Sequence, residues 1–64
     1  MSEFVEIEFE GKTYKLGYAV ERGMITVRTV FDSKSAEIGS LPLVVLVQIV
    51  GRELLEDAKR KGLL

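Results

Sequence analysis

The chain has 64 residues, nine basic and ten acidic side chains and a net charge of −1, which bounds it to a single domain over 1–64. With no cysteine and no histidine, it has no disulfides, no thiolate ligands, none of the commonest zinc sites and no histidine-based catalytic triad. The near-even charge argues against a strong electrostatic pull toward nucleic acid or an anionic membrane.

Residues 3–10 alternate, with Val5, Ile7 and Phe9 on one side and Glu6, Glu8 and Glu10 on the other. Period two predicts a half-buried strand. Glu10-Gly11 then supplies a two-residue turn. Residues 12–21 alternate again: Tyr14, Leu16, Tyr18 and Val20 share the inner face, and Gly17 falls on the outer one. Arg22-Gly23 is a second tight turn. A third strand is expected over 24–31, with Ile25, Val27, Thr29 and Phe31 inward. The parity of the two loops pairs Ile7 with Tyr14, Val5 with Leu16, Val20 with Ile25, Tyr18 with Val27 and Leu16 with Thr29. Every apolar row then lands on one face. Asp32-Ser33-Lys34 reads as a third turn, and 35–38 as a short fourth strand with Ala36 and Ile38 inward.

Residues 40–62 carry helix signals at both ends. Ser40 is the expected N-cap, with Pro42 in the first turn. Lys59, Arg60 and Lys61 meet the negative end of the dipole, and Gly62 fits the position after the C-cap. Glu56–Arg60 and Asp57–Lys61 have the spacing of favourable ion pairs. On a wheel, Leu43, Val47, Val50, Leu54 and Ala58 form the core stripe, flanked by Val44, Gly51, Leu55 and Leu46. Gly51 is expected to admit a tyrosine ring from the sheet. The whole is an α+β fold: a three- or four-stranded antiparallel meander with one C-terminal helix packed on one face.

Val45 and Ile49 are left on the polar side of the helix, four residues apart, with Leu46 near Ile49. A domain this small buries only about 60% of its unfolded surface and sits near the limit of stability. With disulfides and the usual metals excluded, a partner chain is the remaining common reinforcement. Val45, Ile49 and Leu46 are therefore the expected seam of a homodimer. An outer-sheet patch of Phe4 and Val30, with Ala19, is a second candidate surface, and Gly17 leaves room for Phe4 to lie across it.

Chemistry-bearing residues are few. Glu6 and Glu8 project from one face about 7 Å apart. Two acids at that distance could serve acid-dependent hydrolysis or hold a divalent ion, but on an open sheet face without a cleft they are read as a solvated row whose charges discourage edge-to-edge association. Gly11-Lys12-Thr13 resembles the end of a phosphate-binding loop, but residue 6 is Glu where that motif needs Gly, and a strand follows. No cofactor, metal or catalytic residue is expected. Arg52, Lys59, Arg60 and Lys61 support the alternative of a nucleic-acid-associated accessory protein, against which the outer face sets Glu6, Glu8, Glu10 and Glu21. The apolar run over 41–50 is too short to span a bilayer, and the first ten residues lack the basic start of a signal peptide. A cytoplasmic location is the expectation.

The two hairpins, Ser33-Lys34-Ser35 with Gly39, Leu41-Pro42 and the helix passage Arg52-Glu53-Leu54-Leu55 together resemble short bacterial proteins of unknown function. That resemblance implies a free-standing cytosolic polypeptide and transfers no catalytic or binding residue.

Overall fold

The computed structural model describes residues 3–64. Four strands, β1 (Glu3–Phe9), β2 (Lys12–Glu21), β3 (Met24–Arg28) and β4 (Ser33–Glu37), precede one helix, α1 (Leu43–Arg60). The strands form one sheet in the order β1-β2-β3-β4, each antiparallel to the next. The helix packs on its inner face, giving the expected α+β meander.

Both hairpin turns arise from local backbone chemistry. Glu10 and Gly11 have φ of 50° and 80°, and Arg22 and Gly23 have 54° and 75°. Two successive positive φ values make a type I′ turn, whose twist matches the strands it joins. The register follows: Ile7 faces Tyr14, Val5 faces Leu16, Tyr18 faces Val27 and Val20 faces Ile25. All four pairs match the parity argument.

The third strand ends earlier than its alternation suggests. Leu16 and Thr29 do not pair, because the β2–β3 ladder stops at Gly17 and Arg28. The Thr29 hydroxyl accepts hydrogen bonds from the N–H groups of Phe31 and Asp32, both at 3.0 Å. The Thr29 N–H donates to the Asp32 carbonyl at 2.8 Å, and the Asp32 carboxylate takes the Ser33 N–H at 2.8 Å. Short polar side chains here satisfy the backbone locally and outcompete the ladder. Phe31 is consequently exposed, and the turn lies at 29–32. Ser33 and Lys34 already belong to β4, where Lys34 pairs with Val27.

The core joins Ile7, Leu16, Ile25 and Val27 of the sheet to Leu46, Val47, Val50, Leu54 and Leu55 of the helix. Ala36 and Ile38 pack against it half-buried, in the inward positions expected of them. The helix itself begins later than Ser40. Pro42, with extended ψ of 142°, is the residue before its first turn, and no side chain caps it. The Pro42 carbonyl accepts from Val45 and Leu46, so Ser40 lies too early in the chain to reach the free N–H groups. The C-terminus closes as a Schellman motif. Gly62 takes φ of 75°, its N–H donates to Lys59, and the Leu63 N–H returns to Ala58 at 2.8 Å.

Gly51 admits the close approach foreseen for it, with a different neighbour. A Cβ there would lie 2.0 Å from Ile7 Cδ1 and 3.1 Å from Leu16 Cδ1. Two aliphatic side chains, and no tyrosine ring, occupy the space.

Candidate functional site

The structure divides the helix's apolar residues differently from the wheel. Leu46 turns inward, 7% exposed and part of the core, so it cannot join a surface seam. Val45 and Ile49 are exposed, at 42% and 45%. Leu43 and Val44, placed by the wheel on or beside the core stripe, are exposed as well, Val44 at 65%. Their angular position is right; the first helical turn simply runs past the sheet that would cover it.

The connection from the sheet explains this overhang. Ile38 donates its N–H to the Gly23 carbonyl, so the chain leaves the sheet at the β2–β3 turn. Gly39 to Pro42 then carry it to the helix start. Val20, beside that same turn and inward by parity, is also exposed, as is Leu41. Val20, Leu41, Leu43, Val44, Val45 and Ile49 are thus all exposed, and the first helical turn holds no acidic residue. Sequence reasoning missed Leu41, Leu43, Val44 and Val20. Their exposure depends on where the helix sits along the sheet, which no periodicity encodes.

The outer-sheet candidates come together in part. Phe4 lies opposite Gly17 in the register, with its Cε1 3.7 Å from where a Cβ on Gly17 would be. Lys15 Nζ stands 4.7 Å from the centre of the Phe4 ring, a cation–π contact. Phe4 and Val30 both line a shallow groove of about 260 Å³ with Lys15, Gly17 and Arg28; Ala19 is not among its walls.

The basic residues at the helix end are engaged. Lys59 pairs with Glu10 across the first hairpin turn, Arg60 with Asp57, and Lys61 with Asp32 at 3.5 Å. The i,i+4 pattern expected for Arg60 and Lys61 gives way to an i,i+3 partner and a tertiary one. Lys34 meets Glu53 at 3.4 Å. These pairs are exposed, so each contributes little to stability. They nonetheless balance the cations at the helix end with local acids.

Asp32 is held below its ordinary pKa. The Ser33 N–H bonded to its carboxylate is the main cause, and the nearby Lys61 adds to it. A depressed carboxylate stabilises the fold above its unfolded pKa and stops doing so as pH falls through its folded value. Asp32→Asn is therefore expected to flatten the fall in stability below about pH 4, read as urea midpoints at successive pH values. Parallel acid profiles for the two proteins would contradict this role.

Among the described residues, no group of acidic side chains is arranged to hold a metal ion, and no helix is long and apolar enough to cross a membrane. Family models, curated proteins and solved structures were all compared with the chain, and none matches it.

Proposed function

We propose that the chain is a non-enzymatic interaction module that self-associates through the N-terminal half of α1. The observation that carries this reading is the joint exposure of Leu43, Val44, Val45 and Ile49 at one helix end. Exposed apolar residues neighbouring one another on a helix, as Val45 and Ile49 do, can mark an association surface. A second copy is the partner, since one patch meeting itself across a two-fold axis makes a closed, self-complementary contact. Val45 and Ile49, one turn apart on the helix face away from the core, form the seam. An antiparallel crossing also keeps the two positive helix N-termini apart.

Phe4, at the rival outer-face patch, is already partly occupied by Lys15. The alternative of a nucleic-acid contact at the helix C-terminus finds Lys59, Arg60 and Lys61 paired with Glu10, Asp57 and Asp32.

Sedimentation velocity over a wide concentration range tests the proposal. Wild type is expected to gain mass toward a dimer as concentration rises. Val45→Lys with Ile49→Lys, both at exposed positions, is expected to stay monomeric with an unchanged circular dichroism spectrum. A wild type that sediments as a monomer at every concentration overturns it.

A further inference from the structure

The early end of β3 leaves part of β2 without a neighbour. Residues 17–21 of β2 pair with β3, whereas 12–16 pair with β1 alone. The hairpin geometry says which backbone groups this frees. In a two-residue type I′ hairpin, the residues flanking the turn form a hydrogen-bonded pair, here Phe9 and Lys12. Bonded and non-bonded pairs then alternate. Tyr14 and Leu16 thus spend their backbone groups on β1. Those of Thr13 and Lys15 point to the side that β3 has vacated. Among the described residues, no turn or loop bond reaches either of them.

This open edge has an apolar floor beside it. A groove of about 390 Å³ runs between β2 and the C-terminal half of the helix. Tyr14, Leu16, Leu55, Ala58 and Leu63 line it, and the turn at 29–31 borders its end next to β3. The charged residues on its walls are Lys12 and Lys15, both cations.

We propose that this edge takes an extended peptide as an added strand, one whose residues alternate between apolar and acidic. Backbone pairing with Thr13 and Lys15 would supply the affinity common to strand addition, and alternate side chains the specificity. Apolar side chains enter the groove on the inner side. Acidic side chains on the other side meet Lys15, and Lys12 receives an acid at the groove's end. A second folded copy does not fit this role. Its own strand of matching pattern, β1, has Ile7 completely buried beneath its helix, so that row is not available to a neighbour. The occupant is a segment that is extended and unpaired before it binds.

Amide hydrogen exchange on the full chain, read residue by residue by NMR, tests this. The probe is a short synthetic peptide of alternating glutamate and valine. In the free chain, the Thr13 and Lys15 amides are expected to exchange fast and the Tyr14 amide slowly. Excess peptide is expected to slow Thr13 and Lys15 by about tenfold or more. The same peptide N-methylated on alternate backbone nitrogens keeps its side chains and is expected to give no protection. Lys15→Glu is expected to weaken binding of the acidic peptide about tenfold while leaving the free chain's exchange pattern in place. Slow exchange at Thr13 and Lys15 in the free chain overturns the proposal. So does an unmodified peptide that changes neither amide, or an N-methylated one that protects both equally.

Discussion

Gly51→Ala is expected to destabilise the domain, although alanine is the better helix former. The added Cβ would stand 2.0 Å from Ile7 Cδ1, far inside the ~3.5–4.0 Å at which carbons rest. Ile7 is completely buried, so its terminal methyl has to move into a filled core. Helix propensity returns about 1 kcal/mol. Overpacking costs about 1–3 kcal/mol, and more here because Leu16 closes the other side at 3.1 Å. A net loss of about 1–2 kcal/mol is expected, or roughly 5–15 °C in Tm for a domain of this size. Ile7→Val is the control, because it deletes the obstructing methyl. Alone it costs about 0.5–1.5 kcal/mol. In that background Gly51→Ala is expected to become neutral or stabilising, a coupling of about 2 kcal/mol between the two sites. Urea midpoints of the four proteins decide the matter. Simple additivity would show that the Ile7 methyl is not the obstacle.

Leu55→Ala is expected to have a larger effect still. Leu55 is 1% exposed and among the largest fully buried side chains. Truncation of such a leucine costs about 2–5 kcal/mol. A core in a domain this small rarely supplies more than about 3–5 kcal/mol in all. The variant is therefore expected to be mostly unfolded in dilute solution at room temperature, as seen by far-UV circular dichroism. The proposed self-association would add a second signature. If only folded chains pair, mass action draws the variant back toward the fold, and its folded fraction rises with protein concentration. A Leu55→Ala chain that melts at the wild-type temperature would contradict the role given to this residue in the core.

The parts of the fold visible in the sequence are those set by local rules. Glu10-Gly11 and Arg22-Gly23 determine loop length, loop length determines parity, and parity places Ile7, Leu16, Ile25 and Val27 on one face. Gly62 marks the helix end because few other residues accept its backbone conformation. The features that escaped depend on competition or on distance. Ile25, Val27, Thr29 and Phe31 alternate as a strand should, yet the Thr29 and Asp32 side chains capture the backbone before the ladder reaches them. Ser40 looks like a cap, but Pro42 delays the helix beyond its reach. The wheel finds the face on which Gly51 lies without revealing that Ile7 is what meets it. The candidate surfaces follow the same division. Val45 and Ile49 stand out because they break the helix's own pattern. Leu43 and Val44 do not, since only the helix's position along the sheet exposes them. The β2 groove was invisible for a related reason: it exists because β3 stops short.

Each strand of this sheet hydrogen-bonds to its immediate neighbour in the chain, and this shapes how the molecule assembles. Closing either of the first two hairpins confines only a couple of linking residues. Seating Gly51 on Ile7 before the strands pair would confine nearly the whole length between them, at an added entropic cost of about 3 kcal/mol on the logarithmic scaling of loop closure. The strands can therefore associate stepwise, each addition cheap, before any distant contact forms. The helix gains little until Ile7, Leu16, Ile25 and Val27 already share a surface on which to land. In this chain the sheet acts as the template, and helix docking, delayed until that surface exists, then closes only the short link between β4 and α1 to complete the core.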